Sequence, residues 1–252
     1  MELKALLQEM IDNGEIKADE AVIGYVGAYT FAEVISGYTA FFLGAQSVCP
    51  SATMMVEFIG SWGDPTMEAN AAQDLIDKGA VLISQHSDST TPATTAQKNG
   101  VYHVGYNLDM SDVAQDASIV SSRIDWTNYM VYVIETIVNG GKVEQDYKQH
   151  GYADGDVKLT DLNENVAAAG TADKLAEVEA ALADGSLQVF DTSKFTVGGK
   201  ELKSAFALDT DGDFTPDKEE AVFDGAFHES YFQSAPYFAQ RIDGITLLNE
   251  EY

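Results

Sequence analysis

Five short apolar runs recur along this chain, each followed by a helical pattern or a polar turn. They are Ala21–Val26, Met54–Ile59, Ala80–Ser84, Val101–Gly105 and Ser118–Ser122. The runs are continuously apolar rather than alternating. A strand covered by helices on both faces reads that way. Between them lie helical patterns over Phe31–Ala45, Thr66–Lys78 and Thr91–Asn99. Asp64 or Thr66 is placed to cap the second of these helices, and Gly79 and Gly100 are placed to stop the second and third. Strands alternating with helices at this interval give βαβ units and a parallel sheet. The fold class is therefore α/β.

Outside that core the reading is sparser. Leu3–Ile11 has helical spacing and stops at Asn13-Gly14. Asn128–Val138 is a helix stopped by Gly140-Gly141, and it is apolar almost all round. Such a helix requires burial on more than one side. Thr171–Ala183 is a further helix, ended by Gly185. Residues 186–252 are rich in Phe, Tyr, Asp and Gly, with a strand-like piece at Leu187–Phe190.

Composition removes several classes of function. The 252 residues hold 14 Lys plus Arg against 41 Asp plus Glu, a net charge of −27. Phosphate backbones and anionic membranes require clustered cations, so nucleic acid is not a partner. With 45% hydrophobic residues the chain can fill a core despite its charge. Cys49 is the single cysteine, which excludes an internal disulfide and any multi-cysteine metal site. It is read as a bystander thiol. No apolar run reaches the roughly 20 residues that cross a bilayer. No basic segment followed by an apolar one opens the chain, so no signal peptide is visible.

In open α/β sheets ligands bind at the carboxyl ends of the strands. After the first strand come Gly27, Ala28, Tyr29, Thr30, Phe31 and Glu33. After the second come Ser61-Trp62-Gly63-Asp64-Pro65, and after the third Gln85-His86-Ser87-Asp88-Ser89. Tyr106-Asn107-Leu108-Asp109 follow the fourth, and Arg123-Ile124-Asp125-Trp126 the fifth. Rings beside hydrogen-bonding groups at every edge suit a flat, polar, weakly charged organic ligand. Carboxylates such as Asp109 accept from sugar hydroxyls, and Asp64 and Asp88 could receive N–H groups of a base. Each residue also has a plain structural use. Trp62 and Trp126 could pack against loops, Asp64 could only cap a helix, His86 and Asp88 could pair, and Asn107 and Asp109 could cap the next turn. The weight lies in the coincidence at five successive edges.

No nucleophile elbow, phosphate-binding loop or zinc-protease motif is present, and the four histidines lack metal-ligand spacing. No catalytic residue and no cofactor is assigned. An enzyme using His86 with Asp88 as an acid–base pair is a minority reading. Residues 209–220 place Asp209, Asp211, Asp213 and Glu220 in a spacing like that of a calcium loop, but glycine stands at its fourth position and Phe214 at its sixth. It is read as an acidic solvated turn, with a weak Ca²⁺ site as the alternative.

Residues 22–37, Val22 to Gly37, resemble the strand–loop–helix of the basic membrane protein (BMP/PnrA-like) family. Gly44-Ala45-Gln46-Ser47-Val48, Ser61 to Pro65, Ser84 to Ser89 and Gly105 to Ser111 follow in that family's order. The resemblance is dense over residues 20–140 and looser to about 190. These proteins are substrate-binding lipoproteins of ABC transporters. The resemblance implies a periplasmic-binding-protein type I fold of two three-layer lobes with parallel sheets and a cleft between them. On that pattern residues 21–120 form a complete second lobe. Residues 1–20 and 121–252 supply an incomplete first lobe plus an aromatic, acidic C-terminal extension. It further implies a purine nucleoside or nucleobase ligand bound without chemistry, a permease partner and an extracytoplasmic, membrane-anchored setting. Phe31, Glu33, Trp62, His86, Asp88, Asn107, Asp109 and Trp126 fall on its cleft-facing motifs. Some members carry Asp where this chain has Asn107, which leaves base against nucleoside open. A homo-oligomer or a partner chain supplying the missing part of the first lobe is also expected. The alternatives are a ligand-sensing regulatory domain of the same fold and a truncated fragment with no complete site.

Overall fold

The computed structural model describes residues 3–144, 147, 150–207 and 218–250. Its centre is a seven-stranded sheet. In chain order the elements are α1 (Leu3–Asp12), β1 (Val22–Gly27), α2 (Ala32–Gln46), β2 (Thr53–Phe58), α3 (Pro65–Asp77), β3 (Leu82–Gln85), α4 (Thr91–Asn99), β4 (Tyr102–Tyr106) and β5 (Ser118–Ile124). Then follow α5 (Thr127–Val138), β6 (Val157–Leu159), α6 (Thr171–Ala183), the hairpin β7 (Val222–Phe223) and β8 (Ala226–Phe227), and β9 (Ile245–Leu247). The sheet order is β6-β5-β4-β3-β1-β2-β9. Every pairing in it is parallel except β5 with β6.

The order reverses at β1. The chain steps to β2 on one side, then crosses back to β3 on the other. Right-handed crossovers in opposite directions put the connecting helices on opposite faces. Accordingly α2 packs Val34, Tyr38 and Phe42 over Ile23, Tyr25, Val56 and Phe58. On the other face α3 packs Ala71, Ala72 and Leu75 over Val26 and Ile83. Gly24 lets α3 approach: a Cβ there would stand 2.9 Å from the Leu75 Cβ.

The element ends follow the local chemistry. The Asp64 carboxylate accepts from the Thr66 and Met67 amides at 3.0 Å, so it is the N-cap of α3 with Pro65 at the first helical position. Gly100 ends α4 at φ +69°, where a side chain would be strained.

Strands from outside residues 21–120 complete the sheet, β6 at one edge and β9 at the other. The Asn249 side chain extends that second edge, donating to the Phe58 carbonyl at 2.9 Å and accepting its amide at 2.8 Å. The tail also supplies core. Phe190, Phe195, Phe227, Tyr237, Phe238 and Ile242 are buried in the cluster that holds α2. Leu187–Phe190 is not a strand. The chain turns at Val189 and Phe190, and the buried Phe190 offers its carbonyl to the Phe227 amide instead. Among the described residues, no helix is long and apolar enough to cross a membrane.

Candidate functional site

The reversal of strand order opens a crevice between the carboxyl ends of β1 and β3. Five rings meet there. Tyr29 and Phe31 stack with centroids 4.9 Å apart, and Tyr29 meets Trp62 edge-on at 5.5 Å. Trp62 lies 6.4 Å from the His86 ring, and His86 lies 4.3 Å from Tyr106. Phe31 is exposed, Trp62 half-buried and His86 buried. The result is an aromatic wall that deepens from rim to floor.

His86 is the hinge of this arrangement. Its amide donates to the Val26 carbonyl, which seats the turn after β3 against β1. Its Nδ1 lies 3.4 Å from the Tyr25 hydroxyl, while its buried Nε2 has no hydrogen-bond partner. Glu33 Oε1 stands 3.8 Å from Nε2, an ionic distance rather than a hydrogen bond. The facing imidazole holds the Glu33 carboxyl below the usual carboxylate range. Burial pushes the Tyr25 and Tyr106 phenols up, Tyr106 further through the Glu33 charge.

Gly37 explains how the ring fits. A glycine inside a helix costs about 1 kcal/mol relative to alanine, so it needs a reason. A Cβ at Gly37 would lie 2.6 Å from His86 Nδ1. The missing side chain is the space the imidazole uses. Below it a cavity of about 180 Å³ runs along the sheet, lined by Tyr25, Phe41, His86, Val104, Tyr106 and Leu159 among others.

The loops after the first four strands carry charge of one sign, whereas Arg123 and Lys158 pair across the end of β5. Residues 28–31, 59–64, 86–90 and 107–117, which follow the first four strands, contain no Lys or Arg. Glu33, Asp64, Asp88, Asp109, Asp112 and Asp116 lie in or beside these loops. An anionic ligand would meet no counter-charge there.

The structure brings Phe31, Glu33, Trp62 and His86 together. Asp88 is exposed beside them; its amide donates to the Trp62 carbonyl at 2.7 Å, tying the two loops. His86 pairs with Glu33, not Asp88, because the turn points Asp88 outward. Asn107 stands at the end of β4 at φ +62°, with its amide on the Ser122 carbonyl. The Asp109 carboxylate accepts from the Ser111 amide and hydroxyl at 2.9 and 2.6 Å, so it caps its own turn. Trp126 is exposed at the start of α5, and its ring meets Tyr129. Tyr129 in turn joins Tyr132, Tyr147 and His150 in a separate aromatic group.

Tyr25 and Tyr106 were not among the expected site residues. Tyr106 closes its strand at the ligand edge and was legible there. Tyr25 sits inside a strand, and only the position of His86 reveals it. Of the calcium-like spacing, Asp209, Asp211 and Asp213 lie outside the described residues. Glu220 accepts from the Ala205 and Val222 amides and from the Ser204 hydroxyl, a role within the tail. Among the described residues no three His, Cys, Asp or Glu side chains cluster as a metal site.

A chain with this sheet order has an α/β fold of the periplasmic-binding-protein kind. Residues 16–186 match the family described as ABC transporter substrate-binding protein PnrA-like, and the chain belongs to that family. It is 34% identical to a purine-binding protein of Brucella abortus over 68% of this chain and 48% of that protein. It is 33% identical over 69% of its length to a Haloferax volcanii protein, 44% of which is covered. The name of that protein assigns it glucose binding in an ABC transporter. A solved ABC-transporter solute-binding protein of Conexibacter woesei superposes with a TM-score of 0.55 at 18% identity, over 74% of this chain and 62% of that one. The chain spans about half the length of the two curated relatives.

Proposed function

We propose that this chain binds a neutral purine nucleoside or nucleobase as the substrate-binding component of an ABC importer. It hands the ligand to a membrane permease without chemical change. The observation that carries this reading is the aromatic wall from Phe31 through Trp62 and His86 to Tyr106, facing the Glu33 carboxylate. A flat base stacks on such rings, and a carboxylate accepts from its N–H groups or from ribose hydroxyls. The absence of Lys and Arg from the loops after the first four strands favours nucleosides and bases over nucleotides. Asp88, Asn107 and Asp109, from the neighbouring turns, are assigned to the ribose side of the ligand. Trp126 is assigned to the closing side of the cleft. The setting is extracytoplasmic, with the permease as partner.

A second reading is supported by the same chemistry. Aromatic rings and carboxylates also hold sugars, and one relative is named for glucose. Titration of the tryptophan fluorescence, from Trp62 and Trp126 together, with guanosine, adenosine, GMP and glucose separates the two. Saturable binding of a nucleoside, with GMP and glucose inert, is the expected result. Binding of glucose alone replaces the purine reading, and release of free base from guanosine overturns the absence of chemistry.

A further inference from the structure

On the sheet face opposite α2, a line of polar side chains crosses three strands. Ser118 opens β5, His103 lies in register with it on β4, and Gln85 ends β3. All three are buried. Elsewhere this face is packed with Ala71, Ala72, Leu75 and Ile83. Polar groups in such surroundings are costly without partners.

Their partners form a directed chain. Gln85 Nε2 donates to the Ser87 carbonyl at 2.7 Å and the Ser89 carbonyl at 2.8 Å. Its Oε1 is left to accept, and His103 Nε2 lies 3.1 Å from it. His103 Nε2 therefore carries the hydrogen, and Nδ1 accepts from the Ser118 hydroxyl 3.4 Å away. Burial keeps this imidazole neutral, with its pKa lowered to about 3. The chain ends in the turn that carries His86 and Asp88. That turn is held at two further points. The Ser89 hydroxyl donates to Glu68, and the Asp88 amide donates to the Trp62 carbonyl.

We propose that His103 is a positioning residue for the ligand rim. Acting through Gln85, it fixes the His86–Ser89 turn and, through that turn, the Trp62 loop. The inference rests on reading that rim as a ligand site. A residue that merely filled the core would be replaced by leucine at no cost to the turn.

The test uses the full chain with His103→Leu, His103→Gln and Gln85→Met. Gln at 103 keeps a donor for Gln85; the other two variants break the chain. Hydrogen exchange at the Asp88 amide is compared with that at strand amides of β1. Guanosine affinity is measured well below each variant's Tm. His103→Leu and Gln85→Met should each raise Asp88 exchange and weaken guanosine about 10-fold, and His103→Gln should restore both to within about 3-fold. Nitrogen-15 shifts of the wild-type ring should place the proton on Nε2. The proposal falls if His103→Leu lowers Tm but leaves the turn and the affinity unchanged, or if Nδ1 carries the proton. If His103→Leu does not fold, Gln85→Met decides by the same measurements. If wild type binds no nucleoside, the functional reading fails alone, and Asp88 exchange still decides the strut.

Discussion

Helices α2 and α5 are both apolar along most of their length, and they end in opposite situations. The α2 helix buries Val34, Ile35, Ser36, Tyr38, Thr39, Phe42, Leu43 and Ala45. The α5 helix buries none of its residues, and Met130, Val131, Ile134, Ile137 and Val138 stand exposed. The difference lies in what each helix is offered. The crossover from β1 to β2 returns α2 onto the sheet, and the phenylalanines of the tail then close over it. By contrast α5 leaves β5 at the end of the parallel series, and no element of the described chain turns back over it. Apolarity makes a helix fit for burial; topology decides whether a partner is there.

The largest test of that contrast is Phe42→Ala. Phe42 is fully buried between the sheet and the tail. Its removal should cost about 3–5 kcal/mol, read as a fall in the urea midpoint. A loss under about 1 kcal/mol would mean that the tail does not close over α2 in solution.

A pH series sharpens the same region. Glu229 touches α2 through the Ser36 hydroxyl, and burial raises its carboxyl to about 7. The unfolded chain loses this proton near the ordinary value of 4.5, whereas the folded chain keeps it to about 7. Between these values the folded state binds more protons, so stability falls as pH rises and the loss is complete above about 7. Glu229→Gln should therefore be more stable than wild type at pH 8, by about 1–3 kcal/mol, and equal to it near pH 4. Equal stability at pH 8 would show that the carboxylate is solvated and the tail open.

The third test moves from stability to the site. Gly37→Ala gives α2 a better helix former, worth about 1 kcal/mol, but drives a Cβ into His86. Tm should change little, while guanosine affinity falls about 10-fold as the ring is displaced. Unchanged affinity would detach His86 from the ligand wall.

Much of the fold was legible in the sequence because its signals are local. The five strands were marked by continuous apolar runs, and the observed bounds differ by no more than two residues. Asp64 and Gly100 act where their chemistry predicts. The short edge strands β6 and β9 were not legible, since three residues carry no period. Leu187–Phe190 looked like a strand because Val and Phe favour one, yet it turns to bury Phe190 in the shared core. Within the site, chain order located Phe31, Glu33, Trp62 and His86 at one sheet edge. It could not show that His86 faces Glu33 rather than Asp88, nor that Gly37 makes room for it. Those facts depend on α2 packing against the turn that follows β3, a tertiary relation. Trp126 also followed a strand, but its strand lies two places further from the reversal of strand order.

The smallest expected change in stability belongs to α5. Replacing Ile134 and Ile137 together by Glu removes two side chains that are 61% and 62% exposed. Surface substitutions of this kind change stability by about 0.5 kcal/mol or less. The solution behaviour should change more. An exposed apolar stripe binds hydrophobic dyes and associates with itself. The net charge of −27 opposes such association at low salt. Salt screens that repulsion, so wild type should associate more in 0.5 M NaCl than in 0.05 M, by analytical ultracentrifugation. The double variant should stay monomeric in both and bind less dye. A urea midpoint that drops as far as it does for Phe42→Ala would break the contrast, because it would mean that α5 is covered within the folded chain and contributes to its core.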